Sequence, residues 1–155
     1  MENELVQVLV DWGCSGLFLS AFLAGSVVPF SSEAVLVTLV SLGVNPVWGV
    51  LWATVGNTLG TLTCFGIGYL GKEEWIERYL KVKPARVRLM RRFLRGKGAL
   101  MAFFTFLPTF GELIAITLGY MRANIYLTVV SMFVGKMVRY IVILLAANHV
   151  ISYFA

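Results

Sequence analysis

Apolar residues fill this chain in long segments, and two of these segments continue unbroken for more than twenty positions. Residues 47–70 contain no charged residue, and residues 125–148 contain only Lys136 and Arg139 as charged residues. A helix of about 20 apolar residues crosses the hydrocarbon core of a bilayer. The pattern therefore predicts two transmembrane helices.

The other two apolar segments are broken near a proline. Residues 5–44 are broken at Pro29, and residues 99–120 are broken at Pro108. Proline lacks a backbone donor and kinks or ends a helix, and the arm after each break has only about half the length that a crossing needs. We expect two re-entrant helical hairpins. The irregular backbone at the tip of each hairpin must be surrounded by protein or by a water-filled cavity. The alternatives are a span followed by an interfacial helix for the first segment, and one kinked span for the second.

The two broken segments are related by a constant offset of 79 residues. Residues 28–33 and residues 107–112 both place proline four positions before glutamate. If each copy is a hairpin plus one span, each crosses the membrane once, so the second copy begins on the opposite side. The sequence therefore predicts two inverted repeats, with a site near the midplane where they meet. Identical residues recur at this offset in five further pairs: Thr38 and Thr117, Leu39 and Leu118, Asn45 and Asn124, Val55 and Val134, Gly56 and Gly135.

Positive charge is concentrated between the two predicted repeats. Ten of the 13 lysines and arginines lie in residues 72–97, where apolar residues recur at helical spacing. We expect two short amphipathic helices on an anionic leaflet, with a solvated basic loop as the alternative. The positive-inside rule places this segment in the cytoplasm and, with one crossing per repeat, both termini outside. No nucleic-acid-binding fold is recognised, so we expect no nucleic acid partner.

The composition agrees with a membrane protein of a single domain. The 155 residues are 59% hydrophobic, with a mean hydropathy of +0.83 and a net charge of +5, whereas about 45–50% apolar residues is usual in soluble domains. We expect one membrane domain over residues 1–155, with repeat one at about 5–71, the basic linker at 72–97 and repeat two at about 98–150. The first eleven residues carry three acids and no base, which argues against a signal peptide.

Four ionisable residues lie inside the apolar segments: Glu33, Glu112, Lys136 and Arg139. Each costs at least about 2.5–3.5 kcal/mol at the bilayer centre, so these groups must pair, lose their charge or face water. We expect Lys136 and Arg139, which share a helix face, to bind an anionic group while Glu33 and Glu112 exchange protons. The alternative is that ion pairs only lock the hairpins to the last helix. Either interpretation predicts at least one glutamate within about 5 Å of Lys136 or Arg139.

Smaller residues near these charges are expected to line the same cavity. The set consists of Pro29, Ser32, Asn57, Pro108 and Gly111. Catalysis is not expected, because His149 is the only histidine and no metal cluster, P-loop or dinucleotide fingerprint is present. The chain is therefore predicted to need no cofactor and no metal, and a homo-oligomer is left open.

Several of these motifs together resemble a known family. The combination covers roughly residues 18–148 and resembles the YqaA-like branch of the DedA family, within the VTT-domain (SNARE-associated) group of membrane proteins. The motifs are Pro29 with Ser32-Glu33-Ala34-Val35-Leu36, Gly56-Asn57-Thr58-Leu59-Gly60, Leu107-Pro108 with Gly111-Glu112, and Gly135-Lys136 with Arg139-Tyr140.

The resemblance implies paired re-entrant hairpins in inverted repeats and lipid translocation. DedA relatives are linked to recycling undecaprenyl phosphate, and eukaryotic relatives look like phospholipid scramblases. The family uses an acid in the first hairpin, which Glu33 matches, and arginines in the second, where this chain has Glu112 instead. We therefore expect a flippase or scramblase for a phosphate-headgroup lipid in the cytoplasmic membrane. The alternatives are a proton-coupled transporter of a small solute or ion and a non-transporting envelope-maintenance protein.

Overall fold

Every regular element in the described part of the chain is helical. The computed structural model describes residues 4, 12–26, 31–71, 74, 78, 83–94, 98–106 and 110–154. The helices, in chain order, are α1 (Cys14–Gly25), α2 (Ser32–Ser41), α3 (Pro46–Tyr69), α4 (Pro84–Leu94), a 3₁₀ helix (Gly98–Phe106), α5 (Phe110–Tyr120) and α6 (Ile125–Phe154).

Two of these helices, α3 and α6, are long and apolar enough to cross a membrane. They have 24 and 30 residues, which corresponds to about 36 and 45 Å at a rise of 1.5 Å per residue. The two predicted transmembrane helices are thus confirmed at the level of length and composition. The predicted end of the second helix at residue 148 is wrong, because neither glycine nor proline follows before residue 154 and the helix continues.

The remaining helices are short, and most of them pack against these two. Helix α1 lies along α3, and the 3₁₀ helix lies along α6. Helix α5 also packs on α3, while α2 contacts α1, α3 and α6. Helices α1, α2 and α5 have 12, 10 and 11 residues, so each is only about 15–18 Å long, roughly half of the hydrocarbon thickness. The basic helix α4 packs against α5.

Glycines in α3 and α6 allow very close approach of a neighbouring backbone. A Cβ at Gly56 would collide with the carbonyl of Phe18, and a Cβ at Gly60 would collide with the carbonyl of Phe22. Such small residues four apart let two helices pack with their backbones in contact. Gly135, which lies 79 residues after Gly56, packs in the same way against the carbonyl of Phe103 in the 3₁₀ helix.

The turns that precede α3 and α6 are built alike. Gly43 and Arg122 both adopt positive φ, at 100° and 54°, as is typical just after a helix end. The caps of the two long helices also match, because Asn45 accepts a bond from Val47 N at 2.9 Å, and Asn124 accepts one from Tyr126 N at 3.0 Å. Backbone bonds at the same 79-residue offset join Val44 N to Leu39 O, at 3.1 Å, and Ala123 N to Leu118 O, at 3.0 Å.

Two hydrophobic clusters form the core, and α3 and α6 contribute to both. The first cluster joins α1, α2 and the early part of α3 to the later part of α6, where Tyr140 and Leu144 lie. The second joins α4, α5 and the 3₁₀ helix to the later part of α3 and the earlier part of α6. Asn57 and Lys136 fall between the two clusters along their helices. The polar residues therefore lie where the two halves of the core meet.

Candidate functional site

A buried hydrogen bond joins the two long helices. Lys136 Nζ donates to Asn57 Oδ1, and only 3% of Lys136 and 4% of Asn57 is exposed. Asn57 was predicted to line a cavity together with Lys136. In the structure these two residues contact each other directly. The ammonium group has three hydrogens, and a single hydrogen bond joins it to the described residues.

Tyr140 extends this contact into a chain of hydrogen bonds across three helices. Asn57 Nδ2 donates to Tyr140 Oη at 2.9 Å, and Tyr140 Oη lies 2.8 Å from Ser32 Oγ. Because the phenol oxygen accepts from Asn57, its own hydrogen is available to Ser32. All of these groups are buried, and leaving one unsatisfied would cost about 1–3 kcal/mol. The chain Lys136–Asn57–Tyr140–Ser32 is named the buried network below.

Beside the buried network, Arg139 forms an ion pair with Glu33. The prediction of a direct pair between an acid and a base beside the last helix is therefore confirmed. About a quarter of each side chain is exposed, 26% for Arg139 and 24% for Glu33. This pair is thus less enclosed than Lys136.

The second acid, Glu112, occupies a different environment. It lies in the first turn of α5 and is partly buried. Among the described residues no hydrogen bond or ion pair is formed by its carboxylate. Its neighbour Gly111 is buried against the carbonyl of Thr105, so α5 and the 3₁₀ helix touch through their backbones there.

Two of the predicted cavity residues, Pro29 and Pro108, lie outside the described residues. Tyr140 was not among the predicted site residues, although it connects Ser32 to Asn57. Two signals in the sequence point to it. It lies four residues after Lys136, which places both on one face of a helix, and it belongs to the motif Gly135-Lys136 with Arg139-Tyr140.

The arrangement combines cations, acids and hydroxyl groups between apolar helices. Guanidinium and ammonium groups bind phosphate oxygens by charge-assisted hydrogen bonds. An anion that reached Arg139 would compete with Glu33 for the same guanidinium group.

Comparison with known proteins relates this chain to a family of membrane proteins. Residues 16–149 match the model of the VTT domain. The chain is 35% identical over 136 residues to an uncharacterized protein of Haemophilus influenzae, with 83% of each chain covered. It is 30% identical over 128 residues to the inner membrane protein YqaA of Escherichia coli, covering 82% of this chain and 85% of that protein.

A more distant relative is longer than this chain. The uncharacterized membrane protein YkoX of Bacillus subtilis is 30% identical over 143 residues, which cover 87% of this chain and 65% of YkoX. No solved structure matches the chain.

Proposed function

We propose, from the premise that this chain belongs to the VTT domain family of membrane proteins, that it moves a phosphate-headgroup lipid across the cytoplasmic membrane as a flippase or scramblase. The observation that supports this most is the buried network at the middle of α3 and α6. Polar and ionisable groups at membrane depth are costly and mark the paths of substrates and ions. The inner-membrane relative YqaA supports the location.

Each charged residue has a distinct role in this proposal. Lys136 and Arg139 bind the phosphate, and Ser32 and Asn57 line the path beside them. Glu33 exchanges a proton with water, which the partial exposure of its side chain permits. When Glu33 is protonated, Arg139 is released to the phosphate. Glu112, whose carboxylate has no hydrogen-bond partner among the described residues, exchanges the second proton.

The proposed architecture is a pair of inverted repeats, each with a re-entrant hairpin and one span. The contact between Asn57 and Lys136 supports it, because equivalent positions of two repeats touch each other only near a two-fold axis. The matching turns at Gly43 and Arg122 support a shared local fold. The short helices α1, α2 and α5 support hairpins, since none is long enough to cross alone.

In this proposal residues 72–97 face the cytoplasm. The positive-inside rule supports that side for the basic linker. Helix α3 then begins on the external side of the membrane, and helix α6 then ends on that side.

One observation favours a second candidate, a non-transporting membrane protein of the envelope. The ion pair between Glu33 and Arg139 and the bond between Lys136 and Asn57 would also hold the helices together without any substrate. The two candidates differ in what happens when the charge of Glu33 is removed. A purely structural pair predicts loss of folded protein, whereas a transport role predicts loss of activity in protein that is still folded.

Reconstitution in vesicles tests the proposal. The purified protein is placed in vesicles that contain either a labelled phospholipid or a labelled polyprenyl phosphate, and movement between leaflets is followed with and without a pH gradient. We expect accelerated movement of at least one lipid, and much less with Glu33→Gln. Glu74→Gln, which removes an exposed acid, serves as the matched control. Vesicles in which both lipids move no faster than in protein-free vesicles would contradict the proposal.

A further inference from the structure

A cavity lies on the surface of the basic helix α4, where the end of α5 meets it. Its volume is about 420 Å³, within the range of roughly 300–1,000 Å³ that is usual for small-molecule sites. Arg88, Arg91, Arg92 and Met121 are the described residues that line it. Met121 follows Glu112 by nine residues, or about 13 Å along a helix. The cavity is therefore separate from Glu112, and none of its described lining residues belongs to the buried network.

Three arginines of this cavity share one face of α4. Arg91 and Arg92 follow Arg88 by three and four residues, and like charges at these spacings destabilise a helix. Helix α4 contains no acidic residue. Within the described ranges no ion pair connects these arginines to a carboxylate. An anion in the cavity would relieve the repulsion between them.

The arginines are presented by a helix that is held in place. Val87 and Leu94 of α4 are buried, at 4% and 0% exposure, in the cluster that also contains residues of α5. The guanidinium carbon of Arg91 lies 5.7 Å from the centre of the Tyr120 ring, a cation–π distance. This contact restricts Arg91, and a guanidinium group fixed in this way offers paired donors that match the oxygens of a phosphate.

We propose that this cavity binds the phosphate headgroup of an anionic phospholipid. Its surroundings favour a lipid over a soluble anion, because Met121 is part of the lining and Leu89, on the same helix, is 69% exposed. The end of the apolar helix α3 is close by, since Arg122 lies 5.1 Å from the ring centre of Tyr69. Basic residues beside exposed apolar and aromatic ones are typical of the boundary between headgroups and acyl chains.

Binding to the purified full-length protein tests this inference. The protein in a non-ionic detergent is titrated with short-chain phosphatidylglycerol, and the bound lipid is measured by native mass spectrometry and by the shift in melting temperature. We expect Arg88→Gln, Arg91→Gln and Arg92→Gln each to weaken binding about tenfold, the effect of losing one charge-assisted contact. Arg86→Gln is the matched control, because Arg86 is exposed on the same helix outside the described lining.

Three results would overturn the inference, each for a different reason. Inorganic phosphate that binds as tightly as phosphatidylglycerol would indicate a site for soluble anions. Short-chain phosphatidylcholine that binds equally well would show that the negative charge is not recognised. An Arg86→Gln variant that loses as much affinity as the cavity variants would indicate diffuse attraction rather than a defined site.

Conservative variants cover the case in which a glutamine variant does not fold. Arg91→Lys and Arg92→Lys keep the charge but lose the forked geometry of the guanidinium group. Weaker binding in these variants supports the cavity, and unchanged binding overturns it. The inference depends on the membrane location of the chain and not on transport. A variant that loses lipid binding but still transports lipid bears on the cavity alone. A protein that binds lipid but does not transport it bears on the proposed function alone.

Discussion

Asn57 and Lys136 are hydrogen-bonded to each other, and they are also separated by the 79-residue offset that relates the two halves of the sequence. Both are the twelfth residue of a long helix, since α3 begins at Pro46 and α6 begins at Ile125. If the two halves are related by the proposed two-fold axis, a residue and its counterpart can touch only close to that axis. One half of the molecule has an amide at this point and the other half has a cation.

Exchange of the two side chains is the most direct test of this relationship. Asn57→Lys alone places two ammonium groups together in a buried site and should cost about 3 kcal/mol or more, as is usual when a buried charge loses its partner. Combination with Lys136→Asn restores one lysine facing one asparagine. We expect the double variant to recover most of the melting temperature and yield that the single variant loses, measured on protein in detergent.

Asn148→Lys provides the control for the added lysine, because Asn148 is an exposed residue of the same helix as Lys136. It should leave the melting temperature almost unchanged. If the double variant is as unstable as the sum of the two single variants, the two positions are not interchangeable and the proposed axis does not pass between them.

Tyr140→Phe should destabilise the protein by removing the centre of the buried network. The change leaves Asn57 Nδ2 and Ser32 Oγ without the phenol oxygen, which should cost about 1–3 kcal/mol. A cycle with Ser32→Ala is informative, because coupled residues give a double variant that loses less than the sum of the two single variants. Tyr126→Phe, at a side chain that is 80% exposed, is the control. Additive losses in the cycle would show that Ser32 and Tyr140 act independently.

Alanine at the close-packed glycines should distinguish packing from helix propensity. Gly56→Ala and Gly135→Ala each force a Cβ against the carbonyl of a phenylalanine, so both should lower the melting temperature. Gly66→Ala is the matched control, since a Cβ there meets nothing within 4 Å, and alanine is favoured over glycine in a helix by about 1 kcal/mol. A melting temperature that rises in all three variants would contradict the close packing.

Much of this structure follows from the local sequence. The lengths of apolar runs predict α3 and α6, since crossing a bilayer sets the required length. The approach of at least one glutamate to Lys136 or Arg139 was predicted from the cost of burying either charge alone, and Glu33 and Arg139 form that pair. In each case one physical requirement restricts the residues concerned, so the sequence alone is informative.

Other features depend on contacts that a linear sequence does not specify. The 3₁₀ form of Gly98–Phe106 has no distinct residue pattern, because its apolar side chains are equally compatible with an α-helix. The end of α6 was misplaced because hydrophobicity falls at Asn148 while helical bonding continues. The partner of Lys136 is Asn57, and a pairing rule based on opposite charges does not identify an amide as the partner.

The two glutamates should respond differently to removal of their charge. Glu33→Gln breaks the ion pair with Arg139, whereas Glu112→Gln breaks no ion pair among the described residues. Loss of the pair removes one contact between α2 and α6. Transport in vesicles should fall strongly in both variants if the two acids exchange protons, while the melting temperature should fall slightly in Glu33→Gln and remain unchanged in Glu112→Gln.

Arg139→Gln separates charge pairing from proton exchange, because it removes the partner of Glu33 and leaves both acids in place. In the proposed mechanism it weakens lipid binding, so its transport defect should be partly overcome at higher lipid content in the vesicles. The defect of Glu33→Gln should not be overcome in this way, since the step that it blocks is proton exchange. If all three variants lose folded protein in proportion to transport, the charges serve only to hold the helices together, and the non-transporting interpretation is the correct one.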